Sequence, residues 1–224
     1  MKSLNLKILA LFFAVVSLSG CISTTKMADV IRDRMPIVKQ SDYDFSSFVT
    51  IKTDSLAKTD SLVTVKKEKS YFIPAVFLWA WHYQFACELS SDYMLDIFRK
   101  VLADKLREYN MEKFIGNNKL EINIGKVPNR FKYSNIGTVL FWVLSYTPSF
   151  EEVIYRENES FNISYTFTDD LGNTRGDSLT YTFPKQYKSS DVTGYYYVED
   201  YMMSLKYDFE MKSAEFIDRI IEGL

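Results

Sequence analysis

One histidine, His82, and two cysteines, Cys21 and Cys87, are the only imidazole and thiols in this 224-residue chain. A single imidazole cannot build a histidine-cluster metal site or an HExxH helix, and two cysteines cannot complete a cysteine zinc site. A serine triad would have to use His82, and no GxSxG elbow is present to offer the serine. The 8 glycines are scattered, so no loop is built to cradle phosphate. A glycosidase needs two carboxylates facing across a cleft. The adjacent acidic pairs read differently: Asp169 and Asp170 belong to a turn sequence, and Glu151 and Glu152 would point to opposite faces of a strand. The chain is therefore read as non-enzymatic, with no cofactor and no metal. Aromatic side chains are its other chemical resource. Trp79, Trp81, Phe141 and Trp142 lie in uncharged stretches and could line a groove for an apolar ligand or a partner; the competing reading is core packing. Tyr195-Tyr196-Tyr197 reads as partly covered surface leading into a helix.

Cys21 has a different setting. Lys2 and Lys7 precede an apolar run from Ile8 to about Val16, then the small residues Ser17, Ser19 and Gly20, then the cysteine. Basic, apolar and small, in that order, is a secretory signal, and its apolar run is short of the ~20 residues of a membrane-spanning helix. Leu18-Ser19-Gly20-Cys21 resembles the lipobox of bacterial lipoproteins. The resemblance implies cleavage after residue 20, a diacylglycerol on the Cys21 thiol and acylation of the new amine. A single acyl chain holds a protein weakly, while two or three make a stable anchor. The partner so implied is a membrane, reached through the acyl chains. Ile22 is not the aspartate that retains enteric lipoproteins in the inner membrane, and Ser23-Thr24-Thr25-Lys26 has no acidic export tract. By the same resemblance, the expected location is the outer membrane, facing the periplasm.

Removing 20 residues leaves 204, enough for one sizeable core. The signal takes two lysines and no acid, so 25 basic residues face 29 acidic ones, a net charge of −4. Nothing in that balance favours nucleic acid. With Cys21 lipidated, Cys87 has no disulfide partner within the chain and reads as a small buried hydrophobe.

The elements follow from periodicity. Residues 21–44 read as a lipid-anchored tether, with Pro36 stopping any helix begun at Met27–Arg34, and a single domain is expected over 45–224. Phe48–Ile51 and Leu62–Val65 have strand composition, and the polar stretch between them, containing Asp54 and Asp60, reads as a hairpin connection or a binding loop. Across 75–87, Phe77, Trp79, Trp81, Tyr83, Phe85 and Cys87 take one strand face; Val76, Leu78, Ala80, His82, Gln84 and Ala86 take the other. Ser90 then caps a helix running to about Asn110, with Met94, Phe98, Val101, Leu102 and Tyr109 on its apolar side. Leu120, Ile122 and Ile124 alternate as a strand. The uncharged run Ile136–Tyr146 reads as a fully buried central strand or as an exposed apolar loop for a membrane or a partner. Phe161–Phe167 and Leu179–Phe183 form a hairpin about Asp169–Asn173. Met202, Leu205, Phe209, Phe216, Ile220 and Leu224 line a closing helix.

Strands in runs flanked by helices give an α+β class, expected as a mainly antiparallel sheet with two helices packed on one face. The strand at 75–87 leading into the helix at 91–110, the hairpin with its Asp-Leu-Gly-Asn turn and the closing helix together resemble the periplasmic auxiliary lipoproteins of ABC transport and envelope assembly systems. That resemblance implies a non-catalytic accessory binding a protein partner, as part of an envelope complex, or a lipid. The alternative is a binding protein for a small apolar ligand.

Overall fold

Apolar residues spaced by two make this chain's strands, and apolar residues spaced by three and four make its helices. The structure, a computed structural model, describes residues 23–53, 56, 61–115, 118–141, 145–189 and 194–223. Among these, the elements run α1 (Thr24–Arg34), β1 (Val49–Lys52), β2 (Val63–Pro74), β3 (Leu78–Leu89), α2 (Ser91–Glu108), α3 (Met111–Ile115), β4 (Lys119–Lys126), β5 (Arg130–Phe141), β6 (Tyr146–Arg156), β7 (Ser160–Thr168), β8 (Thr174–Thr182), β9 (Gln186–Tyr187) and α4 (Tyr195–Gly223). The α+β class is as expected, and every strand pair but one is antiparallel.

The strands divide into two sheets where one was expected. One has the order β1-β4-β7-β8 and the other β2-β3-β5-β6-β9. Among the described residues the chain passes between the sheets five times, including short corners at 127–129, between β4 and β5, and at 157–159, between β6 and β7. Two asparagines pin these crossings. Asn129 Nδ2 donates to the Leu89 carbonyl at 2.9 Å, and Asn158 Nδ2 donates to the Val127 carbonyl. These bonds satisfy backbone oxygens that have left the ladders, which a buried corner requires.

The expected hairpin between residues 48–51 and 62–65 does not form. β1 instead pairs in parallel with β4, setting Val49 beside Leu120 and Ile51 beside Ile122. β2 belongs to the other sheet and pairs with β3 from Val63 to Pro74. Its lysine-rich centre hides this length in the sequence. As an edge strand it can leave Lys66, Lys67 and Lys69 in water, which also discourages strand addition by another chain. Asp54 and Asp60 lie outside the described residues.

One face of each sheet enters a common core with the helices. The 29-residue α4, roughly 43 Å long at ~1.5 Å per residue, spans both sheets. Its Tyr201 packs on Phe131 of β5 at 4.8 Å, and its Phe209 packs on Phe161 of β7 at 4.7 Å. Phe98 of α2 reaches the same Phe161, and Ser90 caps α2 by accepting from the Asp92 N–H at 3.2 Å. Each such ring, fully buried, contributes about 1.5–3 kcal/mol. Tyr109, expected on the apolar side of α2, is exposed at the helix end.

The reading of 21–44 as a tether is corrected for residues 24–34. Met27 and Ile31, one helical turn apart, are buried in the core, and Ser23 caps the helix by accepting from the Lys26 N–H. Arg34 pairs with Glu199 of α4 at 2.7 Å, and Tyr93 donates to the Pro36 carbonyl at 3.1 Å. Residues 24–34 therefore belong to the folded part, which does not wait for residue 45. Pro36 does end the helix, but only after it has docked.

Candidate functional site

β3 and β5 are long because their first and second halves do different work. In β3, Tyr83, Phe85, Cys87 and Leu89 face the core, and in β5 Phe131 and Tyr133 do the same. Beyond Tyr83 and Asn135 the same strands continue past the helices. β2, β3, β5 and β6 remain hydrogen-bonded there as a four-stranded blade. The register aligns it row by row: Phe72, Trp81, Gly137 and Phe150; then Ile73, Ala80, Thr138 and Ser149; then Pro74, Trp79, Val139 and Pro148; then Leu78, Leu140 and Thr147; then Phe141 and Tyr146. Five rows at ~3.3 Å and three strand spacings at ~4.8 Å give a blade about 17 Å long and 14 Å wide. No Asp, Glu, Lys or Arg occurs in 70–87 or in 133–150.

Both faces are uncharged, one largely aromatic and the other apolar but interspersed with His82, Thr138, Thr147 and Ser149. Paired residues point the same way, so Phe72, Trp79, Trp81, Val139, Phe141, Tyr146 and Phe150 share the face continuous with the core. Tyr71, Ile73, Leu78, Ile136 and Leu140 share the opposite one. Val76 and Phe77, at the turn, are 75% and 69% exposed, and Tyr146 and Phe150 are 68% and 56% exposed. Water contact on this scale is costly for a contiguous surface. The tip is tied together, since the Phe141 N–H donates to the Phe77 carbonyl at 2.9 Å and Trp79 meets Phe141 edge-on at 4.7 Å.

A polar belt separates blade from core. Trp81 Nε1 donates to Asn135 Oδ1 at 2.5 Å, Asn135 Nδ2 donates to Glu152 Oε1, and Tyr133 donates to the same oxygen at 2.6 Å. The backbone N–H of Gly194, just before α4, donates to the other Glu152 oxygen at 2.6 Å. Glu152 is thus fully employed in holding the blade to the closing helix. Its sequence neighbour Glu151 points away and pairs with Lys188 at 2.9 Å.

Trp79, Trp81 and Phe141 are therefore brought together on one face. Cys21 and Trp142 lie outside the described residues. The reading of 136–146 as a fully buried central strand is corrected in part: β5 is central in its sheet, yet Ile136 and Leu140 are exposed because no described helix covers this end. Residues 142–144 lie outside the described residues. Missing from the sequence reading were Tyr71, Phe72, Ile73 and Phe150, while Val76 and Phe77 were read only as strand residues and Leu140 and Tyr146 only as part of the run Ile136–Tyr146. Their signal was the pair of charge-free runs, which align only once the register is known.

The remaining chemical groups have structural roles. Cys87 is buried, and burial pushes its thiol up to about 12, so the nucleophilic thiolate is suppressed. His82 lies on the outer blade face with Tyr71 edge-on at 5.7 Å, and desolvation, aided by Lys69, lowers its pKa. Asp169 accepts from the N–H groups of Leu171 and Asn173, which is turn chemistry. Among the described residues no group of three or more His, Cys, Asp or Glu could hold a metal ion. A groove between α2 and α4, lined by Val101, Tyr207 and Met211, is ringed by the Lys100–Asp104, Lys105–Asp218 and Lys206–Glu210 pairs, so its walls are wet. No described helix is long and apolar enough to cross a membrane. Comparisons of the chain with protein-family models, with curated proteins and with solved structures return no match.

Proposed function

We propose that this protein is a lipid-anchored, non-catalytic accessory of the bacterial cell envelope that binds a protein partner or a lipid through its blade. The carrying observation is an apolar, charge-free sheet extension, exposed on both faces and at its tip, on an otherwise well-covered core. The lipobox-like Leu18-Ser19-Gly20-Cys21 supplies the anchor in this reading. The outer membrane, facing the periplasm, is the proposed location, and transport or envelope assembly the proposed setting.

The test has two arms. Cys21→Ser should abolish incorporation of a radioactive fatty acid, and labelling that survives the change would sink the anchor. A photo-crosslinking residue at exposed Phe150 should capture a defined envelope protein or a lipid from intact cells. Recovery of a small apolar metabolite in place of both would favour the ligand-binding alternative.

A further inference from the structure

The blade's shape selects among its possible occupants. A globular partner that docks on a sheet needs one apolar face, with the other left wet and charged; here neither face carries charge, and both faces and the tip present large apolar side chains. A partner that adds a strand needs an edge with free backbone donors. The two blade edges are β2 and the first part of β6, since β9 pairs only with Ile154 and Tyr155, and each edge carries a proline in the same row, Pro74 and Pro148. Proline removes a donor and blunts strand addition. A medium that is apolar from every direction fits better.

Charge placement agrees. Moving from tip to core, the five blade rows carry no charge; charge then returns stepwise, with Glu151 of β6 level with His82, Lys69 of β2 level with Gln84, Lys132 of β5 level with Ala86, and Glu88 of β3 beyond. Between tip and base the blade carries Trp79, Trp81, Tyr71 and Tyr146, the residue types that settle at a membrane–water boundary. Its charge-free length of about 17 Å is close to one leaflet, half of a ~30 Å hydrocarbon core. Depth has a limit, because open sheet edges are costly in hydrocarbon. Interfacial elements bury to about 5–10 Å, which is the outermost two or three rows: Val76, Phe77, Leu78, Leu140, Phe141 and Tyr146.

We infer that the tip of the blade inserts into the interfacial layer of a lipid bilayer, giving this protein a second membrane contact formed by side chains and independent of its acyl chains. This rests on the proposed reading that the blade is the interaction surface, and it names the occupant. A lipid anchor would hold the protein at the membrane by one flexible point, and the inserted tip would fix its orientation there.

Trp79 and Trp81 lie on the blade and the third and last tryptophan, Trp142, follows Phe141 directly in the chain, so tryptophan emission is the reporter. The full chain, purified from membranes in detergent, is reconstituted into phosphatidylcholine vesicles with and without phosphatidylcholine brominated on its acyl chains. Bromine is expected to quench the tryptophan emission. Quenching should be lost in Val76→Asp/Phe77→Asp, whose exposed positions leave the core untouched and the thermal midpoint unchanged. Should the double change lower the midpoint, Phe77→Ser replaces it, with partial loss of quenching expected. Equal emission in brominated and plain vesicles overturns the inference, as does quenching that survives the tip substitutions. The anchor is scored separately. Fatty-acid labelling of Cys21 with unquenched tryptophans keeps the tether and rejects insertion; quenching without labelling does the reverse. Unquenched tryptophans in a protein that crosslinks at Phe150 to an envelope protein or to its own second copy assign the blade to a protein occupant.

Discussion

Gly137→Ala tests whether the blade is braced as the structure has it. The Trp81 indole lies flat across Gly137, and a Cβ there would overlap its six-membered ring. That ring is partly buried against the core, and its Nε1 donates to Asn135 at 2.5 Å. Rotating it away loses a hydrogen bond of about 0.5–1.5 kcal/mol. It also loses part of the ~1.5–3 kcal/mol of a fully buried large side chain, here about 1 kcal/mol for partial burial. Against this, alanine is better than glycine inside a strand by roughly 0.5–1 kcal/mol. The net expectation is a loss of about 0.5–2 kcal/mol, read as a lower urea midpoint with an unchanged slope. In a Trp81→Ala background the obstacle is gone and only the strand preference remains, so Gly137→Ala should stabilise by roughly 0.5–1 kcal/mol. The sign should therefore invert between backgrounds, with a coupling of about 2 kcal/mol in the double-mutant cycle. Additive effects, or Gly137→Ala harmless in the parent chain, would refute the contact between ring and glycine.

Three further outcomes are expected. Arg156 is 3% exposed, pairs with Asp208 at 3.0 Å and lies 5.6 Å from the ring centres of Phe183 and Tyr201. Asp208→Ala should cost about 3–5 kcal/mol by leaving that charge uncompensated, while Arg156→Met/Asp208→Leu should cost much less; equal losses in calorimetry would contradict this. Cys87 should resist maleimide at pH 8 until urea unfolds the chain, and Cys87→Ala should cost on the order of 1 kcal/mol; labelling faster than unfolding would restore a reactive thiol. For His82, desolvation holds the folded value below the ordinary 6.5, so as pH falls past 6.5 the unfolded chain takes up its proton first. Stability is then full above 6.5 and declines as pH drops toward the folded value. His82→Phe should flatten that part of the profile of urea midpoint against pH, and an unaltered slope would count against it.

Strand and helix periods made much of the fold legible before any coordinates. The alternating face from Trp79 to Cys87, the Ser90 cap, the hairpin about Asp169–Asn173 and the apolar line of α4 from Met202 to Ile220 appear as read, while residues 75–77, read as the start of the strand, form the turn before it. Each is a local pattern in which burial and backbone period coincide. The readings that failed needed long-range partners. The strand read at Leu62–Val65 stops short of Lys66–Lys69, whose charges show no strand pattern unless they are known to run along a sheet edge, and Phe48–Ile51 looks like half of a hairpin unless Leu120 and Ile122 are known to lie beside it. Met27 and Ile31 looked like tether because two apolar residues in a polar stretch gain nothing until a core exists to receive them.

For the candidate site the division is similar. Sequence alone determined the lipobox-like run ending at Cys21, the absence of any histidine or cysteine cluster, and the presence of aromatics in two stretches without Asp, Glu, Lys or Arg. An apolar strand is the same string of letters whether a helix lies over it or not, so its exposure could not be read there. Tertiary structure decided that Tyr83, Phe85 and Cys87 lie under the helices while Trp79 and Phe77, on the same strand face or at its turn, lie beyond them. The physical reason is length: β3 and β5 outrun the helices that cover their core-facing halves, and only a register linking residues some sixty positions apart in the chain sets their uncovered ends side by side.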